Sequence, residues 1–322
     1  MPMNKIPIHI VTGFLGSGKT TFIQQILKND QNAKTLVLIN EFGEVGLDDL
    51  LVKPINDNTY LLSSGCMCCT VLTDLKDTLL STLDLNKDTL VFDKILIETT
   101  GLANPASILS TLTQDMHLKG RFVLHGMTAI IDAQHARIQA TTAPEWLPQV
   151  IACQQYVLSK TDLCQTNDMI YLQTLINEAN PDAIEVHVDD FINMQALFTK
   201  TFDVLPKSTF FLKSEQDIHA KTQSLLLSFD KPIDWLAFGL WLSLLLDQYG
   251  EHVLRLKGVL HLQGIDKPIL LQGVQHCLYP PEHLPTPMWY DDISRLVMIV
   301  RGLDVADIER SAKTVLSHLR KV

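Results

Sequence analysis

The sequence is poor in cysteine, in basic charge and in long apolar runs, and each shortage argues against a class of protein. Six cysteines stand among 322 residues, and three of them, Cys66, Cys68 and Cys69, fall within four positions, where a disulfide network is sterically awkward. A disulfide-stapled secreted scaffold is therefore disfavoured, and the clustering points to metal binding or thiol reactivity. Lysine and arginine total 26 against 36 aspartates and glutamates, a net charge of −10. No broad basic face remains to neutralise a phosphate backbone, so nucleic acid is not expected as a partner. The longest strongly apolar run, Trp235 to Leu246, is too short to span a bilayer, and no basic-then-apolar signal precedes the first expected strand. A cytosolic protein without membrane association is expected. Internal repeats and low-complexity tracts are absent as well. With 46% hydrophobic and 19% charged residues, a chain of this length buries a substantial core and is expected to form two domains.

From Pro7 onward, short apolar runs alternate with helical patterns: Ile8–Val11, a helix after Lys19, Leu36–Ile39, a helix near Leu72–Leu83, then Ile95–Ile97. The alternation continues through Pro105–Leu112, Thr128–Ile131, Trp146–Ala152, Tyr156–Leu158, Met169–Ala179 and Ile184–Val188. This rhythm predicts an α/β fold, a doubly wound, mostly parallel sheet over residues 1 to 205. Beyond a polar connection containing Pro206 the order changes. Strands are expected near Ser224–Phe229, Val253–Leu262, Ile269–His276 and Leu296–Val300, with a helix from Pro232 and a last helix, giving a smaller C-terminal α+β domain over 206 to 322. Pro232 suits a first helical turn, and Phe238, Trp241, Leu242 and Leu245 recur at the spacing of a core stripe.

Gly13-Phe14-Leu15-Gly16-Ser17-Gly18-Lys19-Thr20 follows an apolar strand and opens a helix, the context that a G-x-x-x-x-G-K-[ST] phosphate-binding loop requires. Its glycines let successive N–H groups turn inward toward phosphates, and the helix N-terminus adds its positive dipole end. Lys19 is expected to reach the β- and γ-phosphates, and Thr20 to ligate the Mg²⁺ that bridges them. Glu98 ends the apolar strand Ile95–Ile97 at the edge where parallel sheets bind ligands, and is the second candidate for Mg²⁺ and catalysis. Thr99-Thr100-Gly101 follows as a candidate γ-phosphate sensor. Ser159-Lys160-Thr161-Asp162 leaves a later strand and is similar to the N-K-x-D segment of GTPases. Two acceptor oxygens on Asp162 match the ring N–H and exocyclic amine of guanine, and the Lys160 stem can lie over the base. GTP is accordingly expected on Gly13, Gly16, Ser17, Gly18, Lys19, Thr20, Thr21, Ser159, Lys160 and Asp162.

Gly65-Cys66-Met67-Cys68-Cys69 lies between a strand near Tyr60–Leu62 and a helix. Thiolates at such a boundary suit a soft metal ion; three clustered cysteines supply two or three of the four ligands that Zn²⁺ takes. Structural thiols or a redox pair are the alternatives. The acidic segment Asn40 to Asp49, with Gly43 and Gly46, reads as a switch ordered by γ-phosphate and Mg²⁺, and Glu41 or Glu44 could complete the metal set. His117, His252, His261, His276 and His283 are scattered and expected to be structural or exposed. Cys153, Cys164 and Cys277 are isolated and expected to be buried as small hydrophobes.

The phosphate-loop sequence, Asn40-Glu41-Phe42-Gly43-Glu44, the C-x-C-C of Cys66 to Cys69, Glu98-Thr99-Thr100-Gly101-Leu102 and Lys160-Thr161-Asp162 together resemble the CobW-type GTPases, which include zinc-regulated metallochaperones. The resemblance extends through Leu256-Lys257-Gly258 and Gln272-Gly273-Val274-Gln275 and so covers nearly the whole chain. It implies a cytosolic GTPase that binds Zn²⁺ or a similar transition metal and delivers it to a client metalloprotein; a homo-oligomer is compatible with it. Two features depart from the family pattern: Ser159 stands where Asn or Thr is usual, and no histidine-rich stretch is present. Two other function classes remain open. One is a nucleotide-gated metal sensor that docks a partner without cargo transfer, and the other is a P-loop kinase or ATPase, against which Asp162 argues. No glutamine stands where it would orient an attacking water, so slow intrinsic turnover is expected.

Overall fold

The computed structural model describes residues 5–29, 34–40, 52–56, 59–64, 71–88, 92–187, 189, 197–198, 222–284, 293–316 and 319–320. Glu41, Glu44, Cys66, Cys68 and Cys69 lie outside these residues. Two compact units divide the chain, Met1–Lys207 and Ser208–Val322.

In the first unit the described strands form one sheet. They are β1 (Ile6–Thr12), β2 (Thr35–Asn40), β3 (Val52–Asn56), β4 (Thr59–Ser64), β5 (Lys94–Glu98), β6 (Phe122–Asp132), β7 (Gln155–Ser159) and β8 (Ile184–Glu185). Their spatial order is β3-β4-β2-β5-β1-β6-β7-β8. Every neighbouring pair runs parallel except the β3–β4 edge pair. Near-continuous apolar runs make these strands: Ile8, Ile10, Val11, Leu36–Ile39 and Ile95–Ile97 are all buried, as strands covered on both faces require. Helix α1 (Lys19–Asn29) places Phe22, Ile23, Ile26 and Leu27 against Val11, Val37, Leu96, Ile130 and Val157. Each such side chain stabilises the fold by about 1.5–3 kcal/mol relative to exposure, which anchors the loop ahead of the helix. The remaining helices are α2 (Val71–Asp88), α3 (Pro105–Gln114), α4 (Ala136–Thr142), α5 (Trp146–Ala152) and α6 (Thr166–Ala179). β3 and α4 have no counterpart in the sequence reading, since β3 carries Pro54 at an edge and α4 is only two turns long.

The second unit is an antiparallel sheet built from β9 (Thr222–Phe229), β10 (Val253–Leu260), β11 (Ile269–Val274), β12 (Cys277–Leu278), β13 (Glu282–His283), β14 (Ser294–Arg301) and β15 (Leu319–Arg320). Helices α7 (Trp235–Tyr249) and α8 (Val305–Val315) cover one face. Phe238, Trp241, Leu242 and Leu245 are buried there, as the stripe predicts, and Trp241 Nε1 donates to Ser311 Oγ at 3.0 Å, tying α7 to α8. The expected start at Pro232 is corrected. Asp234 is the cap, its carboxylate accepting the Ala237 N–H at 2.8 Å, so Pro232 precedes the helix altogether. No described helix is long and apolar enough to cross a membrane.

The histidines behave as expected of structural or surface residues. His252 and His276 direct Nδ1 at the carbonyls of Arg301 and Leu246, at 3.0 and 2.8 Å, and His117 and His283 are exposed. Cys153 and Cys277 are buried, but Cys164 is only half-buried, because it follows the short exposed turn Thr161–Leu163.

Candidate functional site

Three strand ends converge on one edge of the first sheet. β1 leaves through Thr12 into the glycine loop, whose conformation admits no side chain at its first position. Gly13 has φ +142°, and a Cβ there would lie 2.2 Å from the Ile130 carbonyl oxygen of β6. Gly16 and Gly18 also adopt positive φ, 70° and 92°, and a Cβ on Gly16 would meet nothing within 4 Å, leaving its backbone open to approach. Ser17 is fully buried, and its Oγ has no hydrogen-bond partner among the described residues. A buried hydroxyl of this kind, beside an open curl of backbone at a helix N-terminus, fits an oxygen-rich anion.

Lys19 is 8% exposed and its Nζ donates to the carbonyls of Gly13 and Phe14 at 2.9 and 3.2 Å. Burial pulls the ammonium pKa below the ordinary lysine value, and the Glu98 carboxylate opposes that pull. The Thr20 hydroxyl donates to Glu98 Oε1 at 2.7 Å, bringing together at the loop two oxygens of the hard kind that could hold Mg²⁺. Glu98 is itself buried at the end of β5, where the parallel register sets it beside Val11. The following backbone is fixed on both sides. Thr99 N–H donates to the Val11 carbonyl at 3.0 Å, and its hydroxyl reaches Thr12 Oγ1, also at 3.0 Å. Gly101 then passes so close to the phosphate loop that a Cβ would lie 2.5 Å from Leu15 N. Thr21 is exposed on α1.

The Ser159 segment leaves β7 on the same edge. The Ser159 hydroxyl donates to the Ser17 carbonyl at 2.7 Å, with the Ile131 carbonyl a second acceptor at 3.3 Å. Serine therefore links this segment directly to the phosphate loop, a role the residue type does not announce. Lys160 is left-handed, φ 56° and ψ 31°, and its ammonium meets Asp132 Oδ2 at 2.7 Å. Asp162 lies exposed in the 3₁₀ turn Thr161–Leu163, so its pairing capacity is available to a ligand from solvent.

Sequence reasoning misses Asp132 and Gln149. Asp132 ends β6 as Glu98 ends β5, so an acid closing an apolar strand is the signal that could have found it. Gln149 carries no such signal. It is buried on α5, and its side-chain amide donates to the carbonyls of Gly101 and Ala103 at 3.0 and 3.2 Å, holding the backbone after Glu98.

Among the described residues no cluster of three or more His, Cys, Asp or Glu side chains could hold a metal ion. The cysteine and Glu41/Glu44 assignments fall outside those residues.

Comparison with known proteins agrees with this architecture. Residues 7–186 match the family described as CobW/HypB/UreG, nucleotide-binding domain, and residues 222–316 match the cobalamin synthesis protein cobW C-terminal domain. The zinc chaperone YjiA of Escherichia coli (strain K12) is 31% identical over 329 residues, spanning 99% of this chain and 100% of that protein. The zinc-regulated GTPase metalloprotein activator 1 of Schizosaccharomyces pombe is 32% identical over 186 residues, 55% of this chain and 44% of its own length. A crystal structure of a Zn(II)-bound triple mutant of the YjiA GTPase superposes with TM-score 0.73 at 28% identity, covering 97% of this chain and 99% of that one. With a phosphate-loop strand, a matching nucleotide-binding domain and a matching C-terminal domain, the chain belongs to the CobW/HypB/UreG family of P-loop GTPases.

Proposed function

We propose that the protein is a GTP-hydrolysing metallochaperone that holds Zn²⁺, or a similar transition metal, on Cys66, Cys68 and Cys69 and passes it to a client metalloprotein in the cytosol. The observation that carries this reading is the strand register. β2 pairs with β5 so that Ile39 stands beside Glu98, and β2 pairs with β4 so that Asn40 stands beside Ser64. The chain therefore enters the acidic segment and the cysteine segment from adjacent strand ends, next to the carboxylate that meets Thr20. A change at the phosphate end of a nucleotide would act near the strand ends from which both segments leave. The names of the relatives, zinc chaperone and zinc-regulated GTPase metalloprotein activator, support the same reading.

Thr20 and Glu98 would hold Mg²⁺, which would supply charge neutralisation to the nucleotide phosphates. Lys19, already stripped of much of its water, is set to exchange its two carbonyl partners for phosphate oxygens. Gln149, which reaches the loop after Glu98, directs its amide hydrogens at backbone carbonyls, and its Oε1, the atom that would accept from an attacking water, is buried away from solvent. That supports slow intrinsic hydrolysis. Each tenfold change in metal affinity between nucleotide states takes about 1.4 kcal/mol of coupling, so a useful release step takes several kcal/mol. Chelator-competition titration of Zn²⁺ into wild type and Cys68→Ala, with Mg²⁺ and either a non-hydrolysable GTP analogue or GDP, tests the coupling. Tighter binding with the analogue, lost in Cys68→Ala, is expected. Equal affinity in the two nucleotide states sinks the delivery mechanism.

A further inference from the structure

We propose that Asp132 is a positioning residue for nucleotide base binding, acting through Lys160; this rests on the reading of Ser159–Asp162 as the base-binding segment. Asp132 closes β6, is 2% exposed, and stands in parallel register with Ser159, whose carbonyl accepts the Ala133 N–H at 3.0 Å. Its two carboxylate oxygens do different work. Oδ1 accepts the backbone N–H groups of Gln134 and His135 at 3.0 and 3.3 Å, fixing the turn that leaves β6. Oδ2 accepts Lys160 Nζ at 2.7 Å and His135 Nδ1 at 2.8 Å.

Lys160 has an unusual conformation for a side-chain-bearing residue, φ 56°. Left-handed backbone outside glycine persists where the surroundings over-determine it. Here β7 fixes the segment on one side and the Asp132 carboxylate fixes the ammonium on the other. The aliphatic stem between these two fixed points is held as a shelf. A lysine tethered at both ends has less rotamer freedom to lose when a planar base stacks on it than a lysine moving in solvent. Asp162, which would read the polar edge of the base, lies two residues along, so shelf and reader are set by one turn. Burial alone would push the Asp132 carboxyl up, but the bonds and charges of Lys160 and His135 outweigh it and hold the group below the usual carboxylate range. It therefore stays an anion, able to hold the lysine, at neutral pH.

Asp132→Asn separates the two functions, because the amide oxygen can keep the turn at Oδ1 while an NH₂ group replaces the acceptor facing Lys160. The test is a double-mutant cycle of Asp132→Asn and Lys160→Ala, read by binding of N-methylanthraniloyl-GDP, with inorganic tripolyphosphate as a competitor that has no base. Asp132→Asn is expected to weaken the labelled GDP about tenfold, the size of one charge-assisted contact, and to leave tripolyphosphate competition unchanged. The double variant is expected to bind no more weakly than Lys160→Ala alone. Losses that add, or a Lys160→Ala effect without an Asp132→Asn effect, overturn the inference while leaving the base-binding reading in place. Lost tripolyphosphate binding in Asp132→Asn also overturns it, by assigning Asp132 to the general structure of the site. No effect of Lys160→Ala overturns the base-binding role of Lys160 and the inference with it.

Discussion

Acidification from pH 7 to pH 5 is expected to destabilise the nucleotide-binding unit by about 2 kcal/mol through His9 alone. His9 lies on β1, directly before the phosphate loop, and is buried completely; its Nε2 meets Thr128 Oγ1 at 2.8 Å, and the same oxygen accepts Gln155 Nε2, also at 2.8 Å. The Phe198 ring packs edge-to-face against the imidazole, centroids 5.8 Å apart. Burial, reinforced by the neighbouring His125 and opposed by a contact with the Leu197 backbone, lowers the imidazole pKa from 6.5 to about 3. Between those values the unfolded chain takes up a proton that the folded chain refuses, so stability rises with pH through this window and falls on acidification. Each unit inside the window is worth about 1.4 kcal/mol, and partial ionisation near 6.5 reduces the total from pH 7 to 5 to about 2 kcal/mol. Urea denaturation of wild type and His9→Gln at pH 7, 6 and 5 measures the effect. Glutamine fills much of the space, keeps a hydrogen-bonding group for Thr128 and does not titrate, while other ionisable groups are common to both proteins and cancel. His9→Gln should be the less stable protein at pH 7 and should lose about 2 kcal/mol less than wild type by pH 5. Parallel stability curves would refute the assignment of a neutral, buried His9.

Three further outcomes are expected. Gly101→Ala places a methyl 2.5 Å from Leu15 N, a backbone atom; the loop after Glu98 must withdraw, with a loss of about 1–3 kcal/mol in stability and a fall in GTP turnover, and unchanged thermal unfolding and turnover would contradict the close approach. Thr20→Ala removes the hydroxyl bonded to Glu98 and, on the Mg²⁺ reading, one of its ligands. GTP hydrolysis should drop at least about tenfold and require more Mg²⁺ to saturate, so a Mg²⁺ titration identical to wild type rejects that ligand assignment. Burial, followed by the charges of Asp168, Asp132 and Asp162, pushes the Cys164 thiol up. Alkylation mapped by mass spectrometry at pH 8 should find Cys164 slower than an unstructured cysteine despite its partial exposure; a faster reaction would contradict this electrostatic account.

Much of the nucleotide domain was legible because its signals are local. Apolar runs buried on both faces mark the parallel strands, and a glycine loop between strand and helix marks the phosphate site wherever the rest of the chain goes. Glu98 was singled out by its place after Ile95–Ile97, and the structure sets it within hydrogen-bond reach of Thr20. Asp132 occupies the same kind of place after Ile130–Ile131 and was missed, because its contact with the base-reading segment is made through Lys160, 28 residues away in sequence and hydrogen-bonded to it. Pro232 misplaced the start of a helix because a proline suits a first turn equally well as a residue ahead of the cap, and only the Asp234–Ala237 bond distinguishes them.

From the sequence came the central parallel strands, the helices packed on them and the chemical types at the strand ends: a loop that only glycine can form, an ammonium, a hydroxyl and a carboxylate; the edge strand β3 and the two-turn α4 did not. These depend on period, residue size and short-range backbone geometry. Tertiary structure decided which of those groups touch. The order β4-β2-β5-β1-β6-β7 puts Glu98 against Thr20, carries Ser159 to the carbonyl of Ser17, brings Gln149 under Gly101 and seals His9 from water. Each of these contacts joins residues far apart in the chain, and their strength comes from burial and register, which exist only once the sheet is assembled.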